Sequence, residues 1–122
     1  MDNHESNQNN TLIFACSGGS DVGALSDRTA RALSKEGKGK MFCSVGIGAR
    51  VDKIIETTKK ASTIIAIDGC PLDCMKISLE NCGFNKYTHV RITDHDFIKG
   101  KTTVDDVSIA KTKSIVLDSI GK

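Results

Sequence analysis

Short runs of apolar residues alternate along the chain with segments in which apolar positions recur every three or four residues. Leu12-Ile13-Phe14-Ala15 and Ile64-Ile65-Ala66-Ile67 are apolar at every position, as a parallel strand covered on both faces must be. These two are expected to be the central strands. Met41-Phe42-Cys43 is shorter, and Thr88 to Thr93 alternates His89 and Arg91 with Val90 and Ile92, the pattern of a half-exposed edge strand. His89 is expected to point outward from that edge. Val22, Leu25, Thr29, Ala32 and Leu33 fall at helical spacing, with Ser20 or Asp21 to cap the start and Gly37 the end. Val51, Ile54, Ile55 and Thr58 form a second stripe. Leu72, Met75, Leu79 and Cys82 form a third, begun by Pro71 at a favoured first helical position and stopped by Gly83. Val104 to Ile120 reads as a last helix capped by Thr102 or Thr103, with a strand over 114–117 as the alternative.

Strand and helix in alternation imply βαβ units, whose right-handed crossovers put all strand carboxyl ends on one edge of the sheet. The fold class is therefore α/β, a three-layer sandwich around a mostly parallel four-stranded sheet, flavodoxin- or Rossmann-like. The order 2-1-3-4 places the two fully apolar strands in the middle, and ligands in such sheets bind beyond the carboxyl ends. Residues 1–10 (MDNHESNQNN) are polar and of low complexity, so they are expected to form a disordered tail in which His4 is inert. Residues 11–122 are expected to form a single domain.

Composition narrows the chemistry. A chain of 122 residues, 39% hydrophobic and 26% charged, holds one ordinary globular core. With four Phe, one Tyr and no Trp, that core must be aliphatic. No apolar run is long enough to span a membrane, and Met1 to Asn10 carry Asp2 and Glu5 where a signal peptide would be basic and then apolar. A cytoplasmic protein is expected. The net charge of +2 and lysines without interleaved aromatics give no reason to expect a nucleic-acid partner. Five cysteines are an odd number and a high one for a reducing compartment, which favours thiol or metal chemistry over a disulfide framework.

Cys16, Cys43 and Cys70 are spaced by 27 residues and again by 27, one βα unit each time. Each sits at or just after the end of an expected strand, so the topology delivers three thiols to one edge. Cys74, four residues beyond Cys70, is expected one turn along the helix that Pro71 begins. Four thiolates are a preferred ligand set for tetrahedral zinc, and Cys16, Cys43, Cys70 and Cys74 are the candidate metal ligands. In the order 2-1-3, Cys43 and Cys70 lie on strands that flank the first, roughly 10 Å apart. The loops after Cys16 and Cys43 must curl inward, which Gly18, Gly19, Gly46 and Gly48 permit. Cys82, on the apolar stripe of its helix, is expected in the core. The same thiols also suit an iron–sulfur cluster. They equally suit a cysteine-based redox or sulfur-transfer enzyme, with Cys70 as nucleophile at a helix amino terminus and Cys74 resolving it.

Asp68-Gly69-Cys70, the pair Cys70 and Cys74, the opening Cys16-Ser17-Gly18 and Cys43 before a glycine-rich loop together resemble the DGC family of zinc-binding proteins, from about Leu12 to Lys99. The resemblance implies zinc as the bound metal and Cys16, Cys43, Cys70 and Cys74 as the shared cysteines, and it names no substrate. Gly69 is expected to take a tight strand-to-helix turn, with Asp68 accepting hydrogen bonds from the loop.

Other motifs fit less well. Ser17-Gly18-Gly19-Ser20-Asp21-Val22 nearly spells the phosphate loop of ATP pyrophosphatases, but Val22 stands where a serine belongs. No Gly-Lys-Ser or Gly-Lys-Thr makes a nucleotide P-loop. Val22 and Ala49 occupy the positions where a cysteine phosphatase needs arginine. Asp94-His95-Asp96 follows the fourth strand, so His95 is an alternative ligand or proton shuttle at the same edge.

Overall fold

The computed structural model describes residues 10–120. Most of the expected tail, and His4 with it, lies outside the described residues. The carbonyl of Asn10 is already tied to the domain, accepting the N–H groups of Ser62 and Thr63 at 2.8 and 3.2 Å. Four parallel strands follow, β1 (Thr11–Ala15), β2 (Lys40–Met41), β3 (Thr63–Asp68) and β4 (Thr88–Arg91). Their order is β2-β1-β3-β4, the arrangement expected from two fully apolar central strands. Leu12 pairs with Ile64 and Ala15 with Ile67 across the centre, while Asp68 pairs with Arg91 at the carboxyl end.

Alternation along β1 and β3 divides the interior into two layers. Ile13, Ala15, Ile65 and Ile67 face helices α1 (Asp21–Lys35) and α5 (Asp106–Ile120), where they meet Val22, Leu25, Leu33 and Val116. Leu12, Phe14, Ile64 and Ala66 face the opposite layer with Ile47, Met75 and Leu79. That layer is made by α2 (Ser44–Gly48), α3 (Asp52–Lys59) and α4 (Cys74–Asn81). Burial of each large side chain among them contributes roughly 1.5–3 kcal/mol. The aliphatic core thus forms on both faces, and in the second layer Phe14 stands edge-on to Phe42, at 6.0 Å between centroids. Among the described residues no helix is long and apolar enough to cross a membrane.

Several local expectations are corrected. Helix α4, expected to start at Pro71, begins instead at Cys74, because Asp73 takes a left-handed conformation (φ 54°) that a helix cannot continue through. Pro71 stands in a turn closed by Asp73 N–H to Cys70 O at 3.2 Å, and Leu72 is exposed instead of joining the apolar stripe. The glycine-rich stretch after Cys43 folds into the short helix α2. β4 ends at Arg91, after which Ile92–Asp94 form a 3-10 turn. Val51 is exposed and only flanks α3. The segment over 114–117 is helical, within α5.

Candidate thiol and metal site at the carboxyl edge

Cys16 follows β1 directly, and its N–H still bonds the Ile67 carbonyl of β3 at 3.0 Å. Its Sγ accepts the Gly69 N–H at 3.3 Å and lies 3.2 Å from Ser26 Oγ on α1. Ser26 Oγ also bonds the Gly23 carbonyl at 2.8 Å. With one proton to place on either the carbonyl or the sulfur, this hydroxyl serves a thiol and a thiolate alike. Cys43 caps α2, its Sγ accepting the Gly46 N–H at 3.3 Å. Ser44 Oγ donates to the Ala15 carbonyl at 2.7 Å, which draws the Cys43 segment inward over the tip of β1.

Cys74 is the first residue of α4, and a cavity of about 440 Å³ is lined by Cys16, Cys74, Ser44, Val45, Met75 and Ser78, among others. Cys70 stands on the other layer. Its side chain packs against the α1/α5 cluster, and Lys99 Nζ reaches its Sγ at 3.7 Å. All four expected cysteines follow strand ends at this edge, but only Cys16 and Cys74 share the cavity, Cys70 is turned toward Lys99, and among the described residues no three of the sulfurs lie within 4.8 Å of one another. Cys82 is half-buried against the second core layer, as expected, and its thiol donates to the Ile47 carbonyl at 3.2 Å.

Behind Cys74 lies a charged network. Asp68, 1% exposed at the end of β3, accepts the Met75 and Lys76 N–H groups at 2.8 and 3.0 Å. These are free donors of the first turn of α4, so Asp68 caps that helix from a neighbouring strand. The N–H groups that Asp68 accepts thus belong to the helix rather than to the loop as expected. His89 is not an outward-pointing edge residue. Its Nε2 lies 2.9 Å from Asp68 Oδ2 and 3.7 Å from Asp73 Oδ1, because a buried carboxylate at the sheet edge recruits the nearest donor on the next strand.

Arg91 closes the network, its Nε and Nη2 gripping the two oxygens of Asp73 at 2.9 and 2.5 Å and its Nη1 reaching Asp94 at 3.1 Å. The Arg91 hydrogen bonds hold the Asp73 carboxyl below its ordinary value, and Asp73 in turn raises Arg91. Among the described residues, Asp68, Asp73 and His89 are the trio of His, Cys, Asp or Glu donor atoms within 4.8 Å of one another. The guanidinium and the α4 N–H groups already occupy the carboxylate oxygens, so this trio is a structural clamp. His95 lines a separate cavity with Thr88, His89 and Ile115, away from the cysteines.

Asp73, Arg91, Ser26 and Lys99 were not singled out by sequence reasoning. One signal pointed to Arg91. A carboxylate ending a strand buried on both faces requires partners, and the polar residues of the adjoining strand are His89 and Arg91.

A parallel sheet wrapped on both faces, with cysteines following its strand ends, defines the class as α/β. A family model of the DGC domain matches residues 12–116, and the chain belongs to that family. It is 32% identical over 88 residues to the anaerobic and virulence modulator AnvM of Pseudomonas aeruginosa, an alignment covering 72% of this chain and 67% of that protein. No solved structure matches the chain.

Proposed function

We propose that the carboxyl edge binds one zinc ion through Cys16, Cys43, Cys70 and Cys74. The observation that carries this reading is the cavity shared by Cys16 and Cys74. The donor set fits the ion in two respects. Cys16 and Cys43 each accept a backbone N–H at sulfur, the kind of outer hydrogen bond that steadies a metal-bound thiolate. The cavity lining contains no carboxylate to favour a harder cation. Cys43 is exposed at the start of α2 and Cys70 is half-buried two residues beyond β3, so in this reading their side chains turn toward the other pair when the ion binds.

Zinc would supply a fixed tetrahedral charge centre. Four thiolates leave no position open for water, so the site suits sensing, storage or structural ordering better than hydrolysis. The relative's name describes a modulator, which fits such a role. Thiols of this kind belong in a reducing compartment, which favours the cytoplasm.

Elemental analysis of protein purified without added zinc tests the reading. About one zinc per chain is expected, falling sharply in Cys16→Ser and Cys74→Ser. Zinc well below one equivalent after reconstitution, or content indifferent to both substitutions, overturns it. A second reading, thiol chemistry at Cys70, is favoured by the Lys99 contact. Fast alkylation of Cys70 alone supports it, whereas four thiols protected until a chelator is added support zinc.

A further inference from the structure

Lys99 does not reach Cys70 from an unconstrained loop. Its turn is closed by Lys101 N–H to Ile98 O at 3.0 Å and by Thr102 Oγ1 to the same carbonyl at 2.8 Å. The turn is then clamped to α1 by Asp21. The Gly100 N–H lies 2.9 Å from both carboxylate oxygens, and the Thr102 N–H lies 2.9 Å from one of them. Those hydrogen bonds hold the Asp21 carboxyl below its ordinary value.

Cys70 is anchored to the same helix. A Cβ on Gly69 would stand 2.7 Å from the Val22 carbonyl carbon and oxygen, so the turn before Cys70 lies directly on the first turn of α1. The Thr93 N–H holds the Gly69 carbonyl from the other side at 3.2 Å. Two backbone segments 29 residues apart in sequence are thus fixed to one helix end, with a nucleophilic sulfur and a primary amine facing each other. Cys70 is half-buried and Lys99 exposed, so both are open to a solution reagent.

We propose that Cys70 and Lys99 form an acyl-relay site, in which a small thioester acylates the sulfur and the acyl group passes to the lysine amine. In the first step the Cys70 thiolate adds to the thioester carbonyl. A new sulfur–carbon bond forms, the donor's sulfur–carbon bond breaks, and the departing thiolate takes up the proton that Cys70 gave to solvent. In the second step the unprotonated Lys99 amine attacks the Cys70-bound carbonyl carbon. A carbon–nitrogen bond forms, the carbon–sulfur bond breaks, and the sulfur regains a proton as the nitrogen loses one. No oxidant or reductant enters.

The carbonyl carbon is one bond from Sγ, and Nζ already stands 3.7 Å from that sulfur. Small torsional changes therefore bring the amine to the roughly 3–3.5 Å of a near-attack arrangement. The transfer is intramolecular, so it outruns acylation of a lysine that must collide with free thioester. This inference stands on the Lys99 contact and concerns the metal-free chain, in which the Cys70 sulfur is not a zinc ligand.

The test uses the full chain, reduced and stripped of metal by chelator, incubated with an acetyl thioester of a pantetheine thiol and followed by peptide mass spectrometry. Lys101, on the same exposed turn, is the internal reference. The expected course is an early Cys70 thioester, then Lys99 acetylation about tenfold or more faster than Lys101. In Cys70→Ser the Lys99 rate falls to that of Lys101. In Lys99→Arg the Cys70 thioester accumulates and is released by hydroxylamine. Equal rates at Lys99 and Lys101 in the unsubstituted chain overturn the proposal. So does a Cys70→Ser protein that acetylates Lys99 as fast as before, or a Lys99→Arg protein whose Cys70 thioester decays as quickly as in the unsubstituted chain.

Discussion

Replacing Asp68 with alanine probes the cap that positions Cys74. The carboxylate is 1% exposed and accepts two backbone N–H groups of α4 at 2.8 and 3.0 Å, with His89 Nε2 at 2.9 Å. Loss of a helix cap costs about 0.5–2 kcal/mol, and each buried donor left without an acceptor costs about 1–3 kcal/mol. Water can reach the first turn of α4, since Cys74 is exposed, so the donors recover part of that cost. The sum is about 3 kcal/mol, a large share of the roughly 5–15 kcal/mol that a domain has. For a domain of this size it corresponds to a fall of about 10 °C in Tm. Urea unfolding followed by circular dichroism reads it as a lower midpoint at an unchanged slope. Asp68→Asn keeps one acceptor oxygen and is expected to cost about half as much. Alkylation of Cys74 should also accelerate as its helical turn frays. A loss under about 0.5 kcal/mol in Asp68→Ala, the range of an ordinary surface substitution, would refute the assignment of Asp68 as the α4 cap.

Gly69→Ala places a methyl group 2.7 Å from the Val22 backbone, whereas nothing lies within 4 Å of a methyl at Gly18. The first is expected to cost about 1–3 kcal/mol and the second under 0.5 kcal/mol by chemical denaturation, and equal costs would contradict the close approach. Asp21 and Asp73 both have carboxyls lowered from the ordinary 3.8 in the fold. Their contribution is complete above that value and is lost as pH falls through the lowered one. Asp21→Asn should therefore flatten the decline in urea midpoint between about pH 4 and pH 2, and an unchanged decline counts against it. Tyr87, the chain's single tyrosine, is pushed up to about 12 by its hydrogen bond to Glu80. Ultraviolet titration should find it largely protonated at about pH 11, where an ordinary phenol is ionised, and Glu80→Gln should restore ordinary ionisation.

The sheet order was legible because periodicity alone decides it. Leu12 to Ala15 and Ile64 to Ile67 can be apolar throughout only if both faces are covered. The arrival of Cys16, Cys43 and Cys70 at one edge follows from that order. What stayed hidden depends on contacts between distant segments. Pro71 carries the local sign of a helix start, yet α4 begins at Cys74, because Asp68 supplies its cap across several residues and Asp73 takes a left-handed turn. The glycines after Cys43 speak against a helix. α2 forms there because a thiol caps it and Ser44 is pinned to β1. His89 alternates as an outward residue should, and only the burial of Asp68 turns it inward.

The Asp68 clamp also has a consequence in time. The chain is synthesised from its amino end, so the acids Asp68 and Asp73 leave the ribosome before His89 and Arg91, the side chains that pair with them. A nascent chain that has emerged only through Asn81 holds every thiol of the edge but neither base. Two carboxylates then repel each other at the start of α4. The arrangement around Cys74 therefore locks late, when β4 zips onto β3 and brings His89 and Arg91 into place.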